Sequence, residues 1–502
     1  MKRGKKIRRP HHDLPDPAAL RRLLADAGRA YRWPHATLTV KTPPRTAPAS
    51  PRIVEAGLRF GVPLTAPGRS IARNLTLTFP PGSVTLITGP SGSGKSLLLE
   101  GIMRQLPSSR LVGPLPFPAD VAVLDAVAPA RSVYDALRIL TACGLGEPIL
   151  WIRRFQELSE GEQFRARLAR AVSLHRHTGG GPLLCDEFGA ILHRRLARAI
   201  AFNLGKLVRR LGLALVAATS HEDLQKELEP DAIVRLGGPE PIVEHRRPTA
   251  RSAFPLRRRL RIERGTVRDY QRFAAMHYRQ RDQLGFVDRV YVLREGNGGE
   301  ALGIVVYGMP AMELRLRNEA TGGRFSRQVR RLNRELRVLK RLVIHPDVRG
   351  CGLGHWLVRR TLPLAGTRFV ECLAAMAAVS PVFDKAGMRR VGTVAPPADR
   401  ARTLSALRAA GADPLAADFA SQVCRRPAIR RIVANTVFNW YRSTTGGGER
   451  RVERQSPAVL ARTYRQLAGS QPVYFIWAAD AKGRRLIDKH LARRDETRAS
   501  VA

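Results

Sequence analysis

The stretch Val84-Thr-Leu-Ile-Thr-Gly-Pro-Ser-Gly-Ser-Gly-Lys-Ser96 decides the fold of the first half of the chain. It opens with an apolar, β-prone run, and a helix-forming run from Leu97 to Leu106 follows it. Between the two lies G-x-x-x-x-G-K-S, whose glycines let consecutive backbone N–H groups point at a phosphate beside the start of a helix. The sequence therefore predicts a strand, a phosphate-binding loop and a helix within an α/β domain.

This loop predicts a bound nucleoside triphosphate with Mg²⁺. Lys95 would neutralise the β- and γ-phosphates, and the Ser96 hydroxyl would ligate the metal. The predicted nucleotide-binding residues of the loop are Gly89, Pro90, Ser91, Gly92, Ser93, Gly94, Lys95 and Ser96.

Two further apolar runs end in polar residues that fit the same chemistry. Pro182 to Cys185 leads into Asp186 and Glu187, and two acids at the tip of a buried strand are costly unless they serve a site. Asp186 would hold Mg²⁺, and Glu187 would activate the attacking water. The run from Leu213 ends near His221, which would contact the γ-phosphate, although a histidine at a strand end is more often structural.

Between these runs lies Leu158-Ser-Glu-Gly-Glu-Gln163. The four segments, in this order, resemble the ABC ATPase family: its Walker A loop, its LSGGQ-type signature, its Walker B strand with a catalytic Glu, and its switch His. The resemblance covers about residues 55 to 242. It implies that ATP and Mg²⁺ are the cofactors and that Ser159 and Gly161 cap the γ-phosphate of ATP bound to the opposite subunit. The expected assembly is a head-to-tail homodimer, unless another cassette protein supplies the second half.

The chain departs from the family pattern where a transporter cassette meets its membrane partner. Ala122 to Asp125 stands where the family has a glutamine loop, and the stretch between Lys95 and Ser159 is short for the family's helical subdomain. No stretch of about 18 uninterrupted apolar residues is present, so no membrane span is expected. A transporter subunit is therefore the lowest-ranked alternative.

A second strand, turn and helix pattern lies downstream. Leu339 to His345 is strand-like, Arg349-Gly-Cys-Gly-Leu-Gly354 follows, and then a helix-like run. This resembles the GNAT acetyltransferase family over about residues 259 to 400. The resemblance implies a mixed sheet that splits at the strand before the loop, with acetyl-CoA in the opening. By that resemblance the pyrophosphate is cradled by Arg349, Gly350, Cys351, Gly352, Leu353 and Gly354, and the acyl arm is flanked by Leu342, Val343 and Ile344.

The acid and base of such a transferase are harder to find. Glu371, on an apolar strand, is the best base candidate, although a strand-edge Glu that faces solvent is about as plausible a reading. His277, Tyr278 and Ser380 are further candidates. Without a base, positioning alone can accelerate the reaction, or the domain only binds an acyl-CoA.

Charge suggests a polyanionic partner. The chain has 86 Lys plus Arg against 42 Asp plus Glu, a formal net charge of +44. This favours a nucleic acid, RNA or DNA, or a nucleic-acid-bound protein, although a generally basic surface is the simpler alternative. Arginines concentrate between Arg315 and Arg341, beside the predicted acyl-carrier cleft, where they would attract phosphates. Scattered cysteines without a metal-ligand spacing are typical of free thiols in a reducing cytoplasm.

The predicted fold class is α/β: a P-loop ABC ATPase domain followed by a GNAT-like mixed-sheet α/β domain. The predicted segments are a basic N-terminal extension (1–51, with a helix from Asp16 to Ala30), the ABC ATPase domain (52–242), a linker (243–258), the GNAT-like domain (259–445) and a basic C-terminal extension (446–502). The predicted function is ATP hydrolysis coupled to acyl-CoA-dependent N-acetyl transfer, on or guided by nucleic acid. The main alternative is a nucleic-acid-binding ATPase whose second domain only binds a ligand.

Overall fold

The computed structural model describes residues 33–48, 50–113, 115–175, 181–246, 253–277, 284–378, 380–394, 399–445, 448–469 and 471–501. The predicted helix from Asp16 to Ala30 and the candidate Tyr278 lie outside these ranges. The chain forms two compact units. The first runs to Arg258 and also includes Pro346–Cys351, and the second consists of Arg259–His345 and the chain from Gly352 onwards.

The first unit is built on a six-stranded sheet in the order β10-β9-β5-β8-β7-β6. Its strands are β5 (Val84–Thr88), β6 (Arg110–Leu111), β7 (Leu183–Cys185), β8 (Leu215–Thr219), β9 (Ala232–Arg235) and β10 (Ile242–His245). Strands β5 to β9 are parallel, and every residue of β5, β7 and β8 is buried. Burial on both faces explains why these strands read as continuous apolar runs.

Helices cover this sheet and form a separate group before the signature segment. They are α1 (Pro51–Phe60), α2 (Lys95–Gln105), α3 (Val123–Val127), α4 (Val133–Ala142), α5 (Pro148–Trp151), α6 (Glu160–Leu174), α7 (Arg194–Leu211) and α8 (Gln225–Leu228). The two helices that flank the candidate site have clear end signals: Ser159 caps the start of α6, and Gly212, with φ 65°, ends α7.

The first unit begins earlier than the sequence predicts. Strand β1 (His35–Lys41) pairs antiparallel with β4 (Ser70–Thr78), and Ala36 and Leu38 are buried in the same core as Leu98. Two short strands, β2 (Arg45–Thr46) and β3 (Thr65–Ala66), pair beside them. The boundary at residue 52 is therefore wrong, because the alternating HATLTVK run buries one of its faces against the cassette.

The second unit contains a seven-stranded mixed sheet in the order β11-β12-β13-β14-β15-β17-β16. Its strands are β11 (Leu260–Gly265), β12 (Val287–Glu295), β13 (Ala301–Gly308), β14 (Leu336–Ile344), β15 (Phe369–Ala374), β16 (Arg389–Thr393) and β17 (Val473–Ala478). Only β14 and β15 are parallel neighbours, and all other adjacent pairs are antiparallel.

The sheet opens between β14 and β15. These strands pair only where Leu336–Val338 lies beside Phe369–Glu371, whereas β14 stays paired with β13 as far as Ile344. Lys340 is an extra residue in β14, because Val306 faces Arg341 while the next residue, Tyr307, faces Leu339. A bulge of this kind bends a strand, and beyond it β14 runs unpaired on its β15 side.

The C-terminal segment is part of this sheet, so the predicted extension from residue 446 is wrong. Strand β17 pairs with β15 on one side and with β16 on the other. The final helix, α19 (Ala481–Val501), contributes Ile487 and Leu491 to the core of the same unit. The physical reason is the apolar VYFIWA run of β17, which is almost entirely buried.

The remaining helices of the second unit are α9 (Val267–Ala274), α10 (Arg315–Thr321), α11 (Val329–Glu335), α12 (Leu353–Thr361), α13 (Val382–Ala386), α14 (Arg400–Ala409), α15 (Phe419–Arg425), α16 (Pro427–Thr445), α17 (Gly448–Glu453) and α18 (Pro457–Gly469). Helices α14 to α18 lie in the chain between β16 and β17, and we call them the helical insertion. The insertion has its own core, which includes Leu407, Phe419, Val433 and Tyr464. Among the described residues, every helix is too short or too polar to cross a lipid bilayer.

Candidate functional site

The predicted phosphate loop lies between β5 and α2, as its sequence indicates. Helix α2 begins at Lys95, and the residue before it, Gly94, has φ 96°. A Cβ atom at Gly94 would lie 2.8 Å from a side-chain carbon of Ile71, and one at Gly89 would lie 2.4 Å from the carbonyl oxygen of Leu236. Both positions therefore require glycine, and the loop backbone can curl tightly at the start of the helix.

The side chains of this loop fit a bound phosphate and Mg²⁺. The Lys95 ammonium donates to the carbonyl oxygens of Gly89 and Pro90, at 2.9 and 2.8 Å, so it lies over the loop. The hydroxyls of Thr88 and Ser93 are buried and have no hydrogen-bond partner among the described residues. Ser96, at the first turn of α2, is exposed and adds a hydroxyl of the kind that binds Mg²⁺.

The acidic residues and His221 lie at the same edge of the sheet. Thr88, which precedes the loop, pairs with Thr219, and β7 and β8 are parallel neighbours. The Thr219 hydroxyl donates to the carbonyl of Phe188 at 3.0 Å and accepts from the backbone N–H of His221 at 3.1 Å. This hydroxyl therefore joins the two strand ends that carry the acids and the histidine.

Glu187 has an unusual backbone. Its φ is 46°, a left-handed conformation that non-glycine residues rarely adopt, and its side chain is exposed. The Asp186 carboxylate accepts a hydrogen bond of 2.9 Å from the Glu187 N–H. Strained backbone of this kind concentrates at functional sites, so the turn presents Glu187 to solvent while Asp186 stays half-buried behind it.

The signature segment forms the start of α6. Ser159 is the capping residue and is exposed, and the Glu162 carboxylate accepts from its N–H at 2.9 Å. Arg165 donates to the carbonyl oxygens of Gly161 at 3.0 Å and Gly144 at 2.7 Å. Burial lowers the pKa of Arg165, opposed by the nearby carboxylates. These bonds hold the segment rigidly, with the Ser159 side chain at the surface.

The predicted acyl-carrier loop is divided. Its first part, Pro346–Cys351, packs within the first unit, where the Asn203 side chain on α7 donates to the carbonyl of Arg349 at 2.9 Å. The Arg349 guanidinium lies 3.4 Å from the Gly146 carbonyl oxygen and 3.5 Å from the Glu147 carboxylate. Protein acceptors therefore already engage the Arg349 side chain, so any contact of this residue with a pyrophosphate is left to its backbone.

Two glycines of the loop have left-handed backbone. Gly350 and Gly352 both have φ 82°, and Gly352 caps α12. Alternating left-handed residues turn successive N–H groups toward one side. Leu342, Val343 and Ile344 lie on the part of β14 that is unpaired toward β15.

Glu371 is placed differently from the prediction. Its side chain is only 3% exposed and forms a two-bond ion pair with the wholly buried Arg317, with N–O distances of 2.9 and 2.7 Å. Tyr474 also donates to it at 2.8 Å, and burial together with this carboxylate raises the pKa of Tyr474 well above its usual value. Both carboxylate oxygens accept hydrogen bonds inside the protein, so a role as general base is wrong.

Several basic side chains between Arg315 and Arg341 are bound within the protein. Arg324 donates to both oxygens of Glu335 at 2.9 and 3.1 Å, and Arg337 donates to Asp288 at 3.0 Å. The Lys340 ammonium donates to two backbone carbonyls, at 2.9 and 3.0 Å. This stretch is therefore a poorer surface for phosphates than its sequence predicts, and the exposed arginines of the helical insertion are those that the sequence reasoning missed.

Comparisons with known proteins bear on the first unit. The family described as ABC transporter matches residues 72–110. The lipoprotein-releasing system ATP-binding protein LolD of Novosphingobium aromaticivorans is 30% identical over 207 residues, covering 33% of this chain and 87% of LolD. The zinc import ATP-binding protein ZnuC of Halorhodospira halophila is 30% identical over 228 residues, covering 39% of this chain and 79% of ZnuC.

Among solved structures, the dimeric bacterial ABC transporter cassette MJ0796 shares 18% identity, with a TM-score of 0.29 and coverage of 41% of this chain and 98% of that one. So low a score adds nothing to the sequence matches. Those matches extend over most of each relative, and they fall on a chain that carries the phosphate loop, the signature segment and the acidic strand end. The chain therefore belongs to the ABC transporter ATP-binding family, as an ATPase that uses ATP and Mg²⁺.

Proposed function

We propose that this protein is a dimeric ABC-type ATPase coupled to an acyl-CoA-dependent N-acyltransferase, and that it acts on nucleic acid or on a protein bound to it. The observation that carries the proposal is the presence of two strand, glycine turn and helix units, one in a parallel sheet and one at an opening in a mixed sheet. The five cysteines are free thiols, which fits the cytoplasm.

In the ATPase, the residues of one edge of the sheet act on the nucleotide. Lys95 leaves its two loop carbonyls to neutralise phosphate, and Ser96 with Asp186 holds Mg²⁺. Glu187 orients the attacking water, and His221 contacts the γ-phosphate. Ser159 and Gly161 close the site of the partner subunit, a role that the exposure of Ser159 supports.

In the transferase, the opening between β14 and β15 accepts the acyl-CoA. The N–H groups from Gly350 to Gly354 receive the pyrophosphate, and the unpaired backbone of Leu342 to Ile344 aligns the acyl arm. The amine nitrogen of the acceptor bonds to the acyl carbon as the carbon–sulfur bond breaks, and the amine proton ends on the thiolate. Because Glu371 is engaged elsewhere, we assign the rate to positioning of the two reactants rather than to a base.

A transporter ATP-binding subunit is the second candidate function. The names of LolD and ZnuC favour it. In α3, an exposed Asp125 stands where the family has its glutamine. This difference favours a partner other than a membrane subunit.

The test uses the purified full chain with labelled acetyl-CoA and three acceptors: RNA, duplex DNA and a basic protein. We expect MgATP hydrolysis and label transfer to one of these acceptors, and a Lys482→Ala variant on the exposed start of α19 should behave like wild type. Hydrolysis without transfer, despite bound acetyl-CoA, would leave only a ligand-binding role for the second unit. Hydrolysis that appears only with a membrane subunit would favour the transporter.

A further inference from the structure

The helical insertion carries a polar helix face that neither proposed activity uses. Helix α16 anchors itself through Ile429, Val433 and Val437, which are buried and spaced four residues apart. A second stripe on the same helix consists of residues spaced by four, four and three positions: Arg431, Asn435, Asn439 and Arg442. At 3.6 residues per turn these four side chains share one face, and all four are exposed.

This face is not occupied by the protein's own acceptors or donors. Within the described ranges, the side chains of Arg431, Asn435 and Asn439 make no hydrogen bond or ion pair, and Arg442 lies over the ring of Phe438. Helix α16 contains no acidic residue. The contrast with Arg324 and Arg337, which are paired with carboxylates, is direct.

The helical insertion carries further exposed arginines. Arg425 and Arg430 are exposed near the start of α16, and Arg462 is exposed on α18. Across α14 to α18 the acidic residues are few: Asp413, Asp418, Glu449 and Glu453. The insertion therefore presents amide and guanidinium groups with an excess of positive charge, which is complementary to a polyanion with readable base edges.

We propose that the exposed face of α16 binds the major groove of duplex DNA. This groove is about 12 Å wide and admits one α-helix. In it, Arg pairs with guanine O6 and N7 and Asn pairs with adenine N6 and N7. Arg431 and Arg442 are separated by about 16 Å along the helix axis, so one pass of the helix covers roughly five base pairs.

Duplex DNA fits this face better than duplex RNA does. The major groove of A-form RNA is too deep and narrow for side chains to read. The arginines outside the stripe, Arg425, Arg430 and Arg462, would contact phosphates and add affinity without sequence preference. This inference rests on the nucleic-acid part of the proposed function and is independent of ATP hydrolysis and acyl transfer.

The experiment selects bound duplexes from a random ten-base-pair library with the full chain, and then measures affinity by fluorescence anisotropy. We expect a preferred site that contains A and G. The double variant Asn435→Ala/Asn439→Ala should lose about 10- to 100-fold of the discrimination between the preferred and a scrambled duplex, while Arg430→Ala should weaken both duplexes alike and flatten the salt dependence. Lys482→Ala, at an exposed position on α19, is the charge-loss control and should change neither.

Several results would overturn the inference. The first is no binding to any duplex, and the second is binding without sequence preference. The third is equal discrimination between the preferred and the scrambled duplex by wild type and by the Asn double variant. The fourth is that duplex RNA binds as tightly as duplex DNA and that the same variants abolish this RNA binding. Thermal melting of each variant checks folding, and no change in Tm is expected because these side chains have no hydrogen-bond or ion-pair partner among the residues that the structure describes. Acyl transfer is measured on the same samples, so its absence with intact DNA binding would count against the transferase and not against α16.

Discussion

The two glycine turns look alike in sequence and differ in what their cations do. In the first turn, the Lys95 ammonium donates to two carbonyl oxygens of its own loop. It can therefore exchange these acceptors for an incoming phosphate with little rearrangement of the loop. In the second, Arg349 is held by Gly146 and Glu147, far away in the chain, and its own carbonyl is bound by Asn203. A glycine pattern predicts where an anion can sit, but only the contacts tell which side chains are available to it.

The largest loss of activity is expected from a substitution in the first loop. Lys95→Ala removes the only loop side chain that carries charge to the phosphates, and we expect MgATP hydrolysis to fall by about 1,000-fold. Phosphate release and binding of a fluorescent ATP analogue measure this. Retention of more than a tenth of the activity would contradict the role given to Lys95, and Lys482→Ala serves as the charge-loss control.

Glu187→Gln should lower hydrolysis by roughly 100-fold while ATP binding persists, because the amide cannot activate water. The unhydrolysed nucleotide should hold two chains together, so size-exclusion chromatography with MgATP should show a dimer that wild type forms only transiently. A variant that remains monomeric with ATP bound would contradict the nucleotide-sandwich assembly.

In the second loop, we expect acetyl-CoA binding to depend on the backbone and not on the Arg349 side chain. Gly352 has φ 82°, so Gly352→Val forces a β-branched residue into left-handed backbone at the start of α12. We expect the Kd for acetyl-CoA, measured by calorimetry, to rise about 10-fold or more through loss of the N–H groups. Normal binding by a folded variant would remove this loop from the acyl-CoA site.

The smallest effect is expected from Arg349→Ala, which should change the Kd for acetyl-CoA by less than about twofold because its guanidinium is already engaged inside the protein. The same variant should lower Tm, since Glu147 loses its partner. A tenfold loss of acetyl-CoA affinity with unchanged Tm would instead show that the two loops use their cations in the same way.

Sequence predicted the parts of the molecule that are local. The strand, loop and helix of the cassette lie within about 25 residues, and the α/β fold of an ATP-binding cassette is confirmed. What escaped prediction is long-range: the pairing of β1 with β4, the insertion of β17 between β15 and β16, and the burial of Glu371 against Arg317. The alternating HATLTVK run of β1 indicates a strand. It does not reveal the strand's partner, because each of these contacts depends on two segments that meet only in the fold.

The density of arginines along the sequence also failed to indicate the exposed arginines of α16. The stretch from Arg315 to Arg341 contains more arginines, but Glu335 and Asp288 form ion pairs with two of them. Helix α16 has fewer arginines and no acids, and its face becomes visible only when Ile429 and Val433 show which side is buried. The proposed DNA-binding face therefore rests on the packing of α16 and its lack of acidic residues, and not on the local density of arginines.

The position of β17 in the chain delays completion of the second sheet during synthesis. Strand β16 ends at Thr393, and β17 ends at Ala478, 85 residues later. At about 5 to 20 residues per second, a ribosome needs roughly 4 to 17 seconds to make the helical insertion and β17. Throughout that interval the nascent chain exposes the edges of both β15 and β16, which other chains can pair with. The helical insertion is completed only shortly before β17, and it has its own core around which it can fold as it emerges.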